Sequence, residues 1–196
     1  DYAVTGVQTC ALPISNGAEA HLPSGAQAMM REAQQAAEAL PHRSDFSGWH
    51  EVSGRGEHRL GSAALRDLAF DLGMRPGDKA ITPALERCSS GFYRGFLRGL
   101  FDTDGSVQGS QTKGVSLRLA QSDLPRLEAA QRMLLRLGVA SVIYTGRRES
   151  GTSRLPDGKG GYREYAIKPQ HELVISGENL LRYRELIGFG DSDKAA

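Results

Sequence analysis

The stretch that decides the fold is residues 91–107, which read GFYRGFLRGLFDTDGSV. Gly95 and Gly99 stand one turn apart in a predicted helix, although each glycine costs about 1 kcal/mol relative to alanine in a helix interior. Small residues at positions i and i+4 let two helix backbones approach closely. The spacing therefore predicts a close helix pair with Gly95 and Gly99 at its interface.

Asp102 and Asp104 lie at the C-terminal end of this predicted helix, where the helix dipole is negative. Each carboxylate is unfavourable there by roughly 0.3–1 kcal/mol, and a divalent cation would remove the penalty. The Asp-x-Asp-Gly pattern is also ordinary turn chemistry at a helix end. The residues alone leave both interpretations open. An EF-hand is excluded, because position six of its loop would be Val107 and not glycine.

Composition is that of an ordinary globular chain. Of its 196 residues, 39% are hydrophobic and 24% are charged, and no apolar run reaches the roughly 18 residues of a membrane span. The net charge is +1, but residues 91–196 carry 16 basic and 12 acidic side chains, a balance of +4. Cys10 and Cys88 are too few for a disulfide framework or a zinc site, so a reducing, cytoplasmic location is expected.

The N-terminal segment of the sequence is unusual. Residues 4–14, VTGVQTCALPI, resemble the translation of a common sequencing-library adapter. We therefore expect residues 1–15 to be an artefact and the genuine chain to begin near Ser15 or Asn16, inside a longer gene. A genuine N-terminal arm is the alternative. A signal peptide is excluded because no basic region precedes the apolar residues.

Hydrophobic periodicity predicts helices alternating with pairs of strands. From Ser90 the predicted order is helix, strand, strand, helix, strand, strand, helix, and residues 24–73 repeat the last four of these elements. The chain therefore reads as one and a half copies of a repeat. Ser62 is expected to cap the second helix and Asp123 to open the fourth. The predicted helices span 24–40, 62–73, 89 or 90 to 101, 123–138 and 177–187. The predicted strands lie within 46–60, 105–110, 115–121, 139–147 and 162–176, the last with a break at Pro169, and a polar loop is predicted over 149–161.

Residues 97–105, LRGLFDTDG, resemble the LAGLIDADG motif of homing endonucleases. Residues 65–85 are similar to the lysine block between the two motifs of intein endonucleases, and residues 172–196 are similar to the end of such a domain. The resemblance implies the α+β homing endonuclease fold of the dodecapeptide (DOD) type. This fold is built from αββαββα repeats, and the chain would hold one complete C-terminal copy and the end of the preceding copy.

The resemblance also implies a division of the chain. Residues 16–75 would be the remnant of a first repeat, residues 76–88 a connector with the lysine block, and residues 89–196 the second repeat. The first motif is expected upstream of Gly25. Asp1 and residues 194–196 do not match the Cys or Ser and the His-Asn pair that splicing requires, so the fragment should be unable to splice. Inteins of this style often occupy ribonucleotide reductases, which suggests the host.

For the parent protein, the resemblance implies Mg²⁺-dependent double-strand cleavage of DNA. Each repeat would supply one metal-binding acid, here Asp104, while Asp102 would be a secondary acid that supports the helix pair or touches the metal. Lys79 matches the connector lysine, which stabilises charge near the scissile phosphate. A second lysine is expected in the C-terminal half, and Lys168 and Lys159 are the candidates.

Strand alternation predicts the side chains that face DNA. In residues 115–119, polar Ser116 and Arg118 alternate with apolar residues, so the polar pair should face DNA and the apolar residues the helices. Arginines that flank the predicted loop suit phosphate or guanine contacts. The full predicted DNA-binding set is Ser106, Gln108, Ser110, Ser116, Arg118, Arg147, Arg148, Arg154 and Arg163.

The expected partners are a double-stranded DNA target and the missing first repeat. Without that repeat the face with Gly95 and Gly99 would be bare, which predicts weak self-association and an inactive fragment. The alternative functions are a non-cleaving DNA- or RNA-binding relative, similar to maturases or transcription factors, and a decayed intein spacer. The acid of the first motif would discriminate among them.

Overall fold

The computed structural model describes residues 19–23, 27–54, 57–75, 78, 80–110, 112, 114–156 and 161–195. The adapter-like segment, Lys79, Lys159 and the predicted start of the first helix at Ser24 lie outside the described residues. None of the described helices is long and apolar enough to cross a membrane.

The first half of the chain holds a small antiparallel sheet and two helices. Its elements are β1 (Glu19–Pro23), α1 (Gln27–Glu38), β2 (Trp49–Val52), β3 (Glu57–Gly61) and α2 (Ala63–Asp71), and the strand order is β1–β3–β2. The hydroxyl of Ser62 accepts a hydrogen bond from the Leu65 amide at 3.2 Å, so this residue caps α2 as predicted. The predicted helices and strand pair are confirmed, whereas β1 was not predicted.

The second half is built around a four-stranded antiparallel sheet with helices on one face. The elements are α3 (Ser90–Asp104), β4 (Gly105–Ser110), β5 (Gly114–Gln121), α4 (Leu124–Arg136), β6 (Val142–Arg148), β7 (Gly151–Pro156), β8 (Tyr162–Ile167), β9 (Gln170–Ser176), α5 (Glu178–Leu186) and α6 (Ser192–Ala195). The strand order of this sheet is β4–β5–β9–β6, and β7 and β8 pair separately. Ser89 caps α3 and Asp123 caps α4 through their side chains.

The two halves share one topology. The sequence β1, α1, β2, β3, α2 has the same order of elements as β5, α4, β6, β9, α5, and the sheet order β1–β3–β2 matches β5–β9–β6. The described residues of the first half contain no counterpart of α3 or β4.

The prediction of a polar loop over Glu149–Gly161 is wrong. Strands β7 and β8 pair as a two-stranded antiparallel hairpin of their own. The break predicted at Pro169 within residues 162–176 is confirmed: β8 belongs to this hairpin and β9 to the main sheet. Pro169 lies at the division, and proline has no N–H to donate to a sheet. Most of the described side chains of this hairpin are exposed, so its sequence lacks the alternation of apolar and polar residues that indicates a half-buried strand.

The main core lies between the four-stranded sheet and its helices. Leu97, Leu100 and Phe101 of α3 are fully buried, and so are Leu117 and Leu119 of β5. These side chains pack with buried residues of α4, β9 and α5 in one cluster. The opposite face of the sheet is not covered by any described helix. The motif helix is therefore both a core element and the element that carries Asp104.

Candidate nucleic-acid interface and acidic site

Asp104 is the last residue of α3 and its side chain is exposed. Its Oδ2 accepts a hydrogen bond of 2.9 Å from the side-chain amide of Gln121, the last residue of β5. The amide oxygen of Gln121 in turn accepts a bond of 3.4 Å from Nη1 of Arg126. Arg126 is only 7% exposed, and its Nε and Nη2 have no hydrogen-bond partner among the described residues. Asp104, Gln121 and Arg126 thus form a chain that fixes one carboxylate oxygen.

Sequence reasoning missed Gln121 and Arg126. The signal that could have indicated them is the hairpin of β4 and β5. In its register Gly105 pairs with Leu119, so the end of β5 lies beside the start of β4. A polar residue at position 121 therefore comes within reach of the carboxylate at position 104. The start of α4 immediately after this strand brings Arg126 to the same place.

Asp102 has the opposite environment, since it is only 3% exposed. Its Oδ2 accepts a bond from the Gly190 amide at 2.9 Å, and its Oδ1 accepts one from the Asp191 amide at 3.4 Å. Burial raises the pKa of Asp102, and the two amides and Lys194 oppose that rise. This geometry favours a supporting role for Asp102 over direct metal binding.

Lys194 provides the positive charge at the end of α3. Its Nζ donates to the carbonyl oxygens of Phe101 at 3.0 Å and Gly105 at 2.8 Å, and also to that of Asp102. A cation here offsets the negative end of the helix dipole. The unfavourable placement of acids inferred from the sequence is therefore relieved by a lysine that lies 89 residues beyond Gly105 along the chain.

The glycine face of α3 borders an open groove. Gly99 is buried and Gly95 is partly buried. Nη1 of Arg98 lies 3.1 Å from a carboxylate oxygen of Glu32 in α1, and its Nε donates to the Ile187 carbonyl at 3.0 Å. The described residues include no second motif helix, so the predicted helix pair stays a prediction. The groove is lined by Glu32, Gln35, Gly91, Arg94, Gly95, Arg98, Leu186 and Ile187.

The uncovered face of the four-stranded sheet is polar along β4 and β5, where four predicted DNA-binding residues meet. Val142 and Tyr144 of β6 are exposed on the same face. Ser106 pairs with Arg118 and Gln108 pairs with Ser116 in adjacent strands. The Gln108 amide donates to the Ser106 hydroxyl at 3.0 Å, and Nε of Arg118 donates to the Ser116 hydroxyl at 3.0 Å. The predicted alternation in β5 is therefore correct at its centre. Val115, however, is 36% exposed, because it lies beyond the helices near the hairpin turn.

The remaining predicted DNA-binding residues lie around this face or apart from it. Ser110 ends β4, and its hydroxyl lies 3.0 Å from that of Thr112. Arg147 and Arg148 end β6, and both are exposed. Arg154 and Arg163 belong to the β7–β8 hairpin, where the Arg154 guanidinium carbon lies 5.3 Å from the centre of the Tyr162 ring. The structure thus divides the predicted arginines between two sheets.

Of the predicted lysines, Lys168 is the one that lies among the described residues. Lys168 is exposed and lies between β8 and β9, two residues before Gln170. His171, which follows Gln170, pairs with Gln121, so the chain leaves Lys168 at the same end of the sheet as the partner of Asp104.

The described residues provide an incomplete set of ligands for a metal ion. No group of three His, Cys, Asp or Glu side chains occurs there that could hold one. Asp104 nevertheless offers the oxygen that Gln121 does not engage. This arrangement fits Mg²⁺, which keeps several waters and commonly uses only one or two carboxylates.

The comparison with protein families agrees with this geometry. The family model described as "LAGLIDADG-like domain" matches residues 91–188, half of the chain. The chain belongs to the LAGLIDADG-like domain family. The matched segment begins in the motif helix and ends after α5, so it contains Asp104, Gln121 and the whole four-stranded sheet.

Relatives of this LAGLIDADG-like chain carry the names of much larger proteins. It is 32% identical over 122 residues to the ribonucleoside-diphosphate reductase NrdEB subunit alpha of Bacillus subtilis (strain 168). It is 34% identical over 90 residues to the ribonucleoside-diphosphate reductase large subunit of Invertebrate iridescent virus 6. The matched regions are 61% and 46% of this chain but only 11% and 9% of those proteins. The chain thus spans about a tenth of the relatives it matches.

Solved structures with a similar fold include the homing endonuclease I-DmoI. Its mesophilic variants match with a TM-score of 0.54 and 17% identity, over 87% of this chain and 78% of theirs. A further I-DmoI variant, solved with its target DNA in the presence of Mg, matches with a TM-score of 0.54 and 18% identity, over 86% of this chain and 78% of that one. Other I-DmoI complexes contain Mn or Ca. At 17–18% identity, this structural similarity establishes the fold alone.

Proposed function

We propose that this chain is part of a divalent-metal-dependent DNA endonuclease of the intein (DOD) type and holds its second repeat and the end of its first. The observation that carries the proposal is the position of Asp104. Its exposed carboxylate stands where the motif helix meets the sheet that has an uncovered polar face. An acid at that junction can reach a phosphodiester lying across the sheet.

The proposed chemistry assigns one task to each side chain at the junction. Asp104 would hold Mg²⁺, and a bound Mg²⁺ stabilises negative charge on a phosphate and lowers the pKa of a coordinated water. Gln121 orients the carboxylate, and buried Arg126 fixes Gln121 while adding positive charge. Lys79 and Lys168 are proposed to stabilise charge at the scissile phosphate, and Asp102 to hold the helix end.

DNA binding is proposed for the uncovered sheet face and the β7–β8 hairpin. Serine and glutamine side chains of β4 and β5 can contact base edges, and the arginines can contact phosphates or guanine. The balance of +4 over residues 91–196 supports attraction to the DNA backbone. In this proposal Ser106, Gln108, Ser110, Ser116, Arg118, Arg147, Arg148, Arg154 and Arg163 bind DNA.

The proposed origin is an intein inside a ribonucleotide reductase gene. The names of the relatives support that host, and the shared topology of the two halves supports the division into a first-repeat remnant (16–75), a connector (76–88) and a second repeat (89–196). The missing partner would then be the motif helix and first strand of the first repeat.

A non-cleaving DNA- or RNA-binding role is the second candidate, with a decayed spacer as its limiting case. The observation that favours it is that the described residues supply one exposed acid at the junction and no cluster of three. Double-strand cleavage by this fold requires the acid of the first motif as well. An intact first motif would favour the nuclease, and a substituted acid would favour the binder.

The test compares the chain alone with the chain extended by its upstream coding sequence. Each is incubated with Mg²⁺ and a randomised duplex DNA library, and binding, nicking and double-strand cleavage are measured together with the mass in solution. We expect the chain alone to bind DNA weakly at most, to self-associate weakly and not to cut. The extended chain should cut, and Asp104→Asn should abolish its Mg²⁺-dependent cleavage while binding persists, because the carboxylate holds the metal.

The matched control is Asp71→Asn, which removes an exposed aspartate from α2 in the other half. It should leave both binding and cleavage unchanged. Undiminished cleavage by Asp104→Asn would refute the role of Asp104. Binding without cleavage by the extended wild-type chain would favour the second candidate function.

A further inference from the structure

Glu172 occupies the middle of the uncovered face of the four-stranded sheet. Its neighbours in the adjacent strands are Ala120 in β5 and Tyr144 in β6. The alternation of the strands places it on the same face as Ser116 and Arg118, opposite the buried Leu173. It is the only carboxylate at the described positions of that face, which the proposed function assigns to DNA.

A carboxylate on a face that binds DNA repels phosphate, so the presence of Glu172 there requires a physical reason. One candidate reason is direct reading of the cytosine N4 amine, for which an acid is the natural acceptor. The contacts of Glu172 argue against this reading, because its side chain is only 13% exposed. Both of its oxygens are already engaged by neighbouring side chains.

Two arginines hold Glu172 from opposite sides. Nη1 of Arg118 donates to Oε2 at 3.2 Å and to Oε1 at 3.5 Å. Nε of Arg147 donates to the same Oε2 at 3.2 Å. Each guanidinium also contacts a second neighbour. Nε of Arg118 donates to the Ser116 hydroxyl, and the guanidinium carbon of Arg147 lies 5.4 Å from the centre of the Tyr144 ring.

The arrangement leaves part of each guanidinium for a ligand. Within the described part of the chain, Nη2 of Arg118 and both terminal nitrogens of Arg147 donate no hydrogen bond. The side chains are 29% and 52% exposed, respectively. A guanidinium with a fixed plane and available terminal nitrogens is preorganised to contact the N7 and O6 acceptors of guanine.

We propose that Glu172 is a positioning residue for sequence recognition, which fixes Arg118 and Arg147 so that they contact guanine in the DNA major groove. This inference rests on the proposed DNA-binding function. Because both arginines are ordered before DNA arrives, less side-chain entropy is lost on binding. Selectivity for guanine then depends on a residue that itself makes no contact with DNA.

The experiment uses the full chain and a randomised duplex library at low salt, with sequencing of the bound fraction. The wild-type chain should enrich guanine at the positions read by the two arginines. Glu172→Gln should reduce that enrichment by about tenfold, the order of one good base contact. Its overall affinity at low salt should be equal or higher, because a negative charge is removed from the surface, and its salt dependence should become steeper.

Two further variants separate positioning from simple stability or charge. Glu185→Gln removes an equal charge from an exposed position of α5 and should keep the wild-type enrichment. Arg147→Lys keeps the charge but loses the planar fork, so it should lose guanine enrichment with little change in salt dependence. Because Arg147 is half exposed, this variant tests whether the arginine contacts guanine even if Glu172→Gln fails to fold, and enrichment that survives it contradicts the inference.

The outcomes distinguish this inference from the function on which it rests. Guanine enrichment at the wild-type level in either Glu172→Gln or Arg147→Lys would overturn the role of Glu172 and leave DNA binding intact. If neither the wild-type chain nor the chain extended upstream binds DNA at low salt, the proposed function is overturned, and this inference with it. Loss of enrichment in Glu185→Gln as well would show a general charge effect and would also overturn the inference.

Discussion

The two halves of the molecule share a topology but differ in the size of their cores. In the second half, α3 contributes Tyr93, Phe96, Leu97, Leu100 and Phe101 to the main buried cluster. The first half has no described counterpart of α3, and its buried cluster consists of Met29, Ala36, Ala37, Leu60 and Leu65. Two of these five side chains are alanines. The motif helix is therefore the largest single difference between the two cores.

The comparison shows that the motif helix serves two purposes at once. One side of it fills the core with aromatic and leucine side chains, and its C-terminal end presents Asp104. The first half keeps a sheet and two helices, yet it also has an open pocket beside α1, lined in part by Met30, Trp49 and His58. The helix that contributes most to the larger buried cluster and the exposed acid of the motif thus belong to the same half of the chain.

The largest effect is expected from matched leucine truncations in the two cores. Leu100 is 0% and Leu60 is 2% exposed. Leu100→Ala should reduce the free energy of unfolding by about 3–5 kcal/mol and Leu60→Ala by about 2–3 kcal/mol, because a smaller core can collapse around the cavity more easily. Urea unfolding followed by circular dichroism and by fluorescence measures both.

Trp49, the only tryptophan of the chain, reports on the first half, where its indole donates to the Met30 carbonyl at 2.8 Å. Leu60→Ala should therefore move the fluorescence transition more than the circular dichroism transition. Equal losses of stability from the two truncations would mean that the halves are equally well packed and would break the comparison.

A smaller effect is expected at the glycine face of α3. Gly99 is buried, so Gly99→Leu should cost about 1–3 kcal/mol by forcing its neighbours apart. Gly91→Ala is the matched control on the same helix, because a Cβ there would meet only the Ser89 hydroxyl at 3.7 Å. That control should be neutral or stabilising by up to about 1 kcal/mol. An unchanged melting temperature for Gly99→Leu would show that no neighbour is packed against Gly99.

The smallest effect is a pH dependence at Asp102, where the C-terminal segment meets the motif helix. Its pKa is raised above the ordinary value of 3.8, so the folded chain binds this proton more tightly than the unfolded chain. Between 3.8 and the raised pKa, wild-type stability should therefore fall as pH rises, and this component should be absent from Asp102→Asn.

The measurement is the difference in free energy of unfolding between wild type and Asp102→Asn across the acidic range. This difference should shift in favour of the variant with rising pH and then become constant. Asp71→Asn, at an exposed position, should give a curve parallel to that of wild type. Parallel curves for all three proteins would remove the assignment of a raised pKa to Asp102.

Much of the fold could be predicted because its signals are local. The caps at Ser62, Ser89 and Asp123 each act on an amide three residues away, and α2, α3 and α4 begin where these residues predict. The alternation around Arg118 correctly separated the two faces of β5. The motif of residues 97–105 was sufficient to indicate the family and to single out two acids.

Sequence by itself therefore determined the helix starts, the polar face of the main sheet and the pair of acids in the motif. Only the tertiary structure decided which acid is buried, because Asp102 is covered by amides 88 and 89 residues further along the chain. It also decided that β9 lies between β5 and β6, which brings Glu172 beside Arg118 and Arg147. Capping and alternation depend on neighbours within a few residues, whereas burial and charge pairing depend on segments that meet only after the chain has folded.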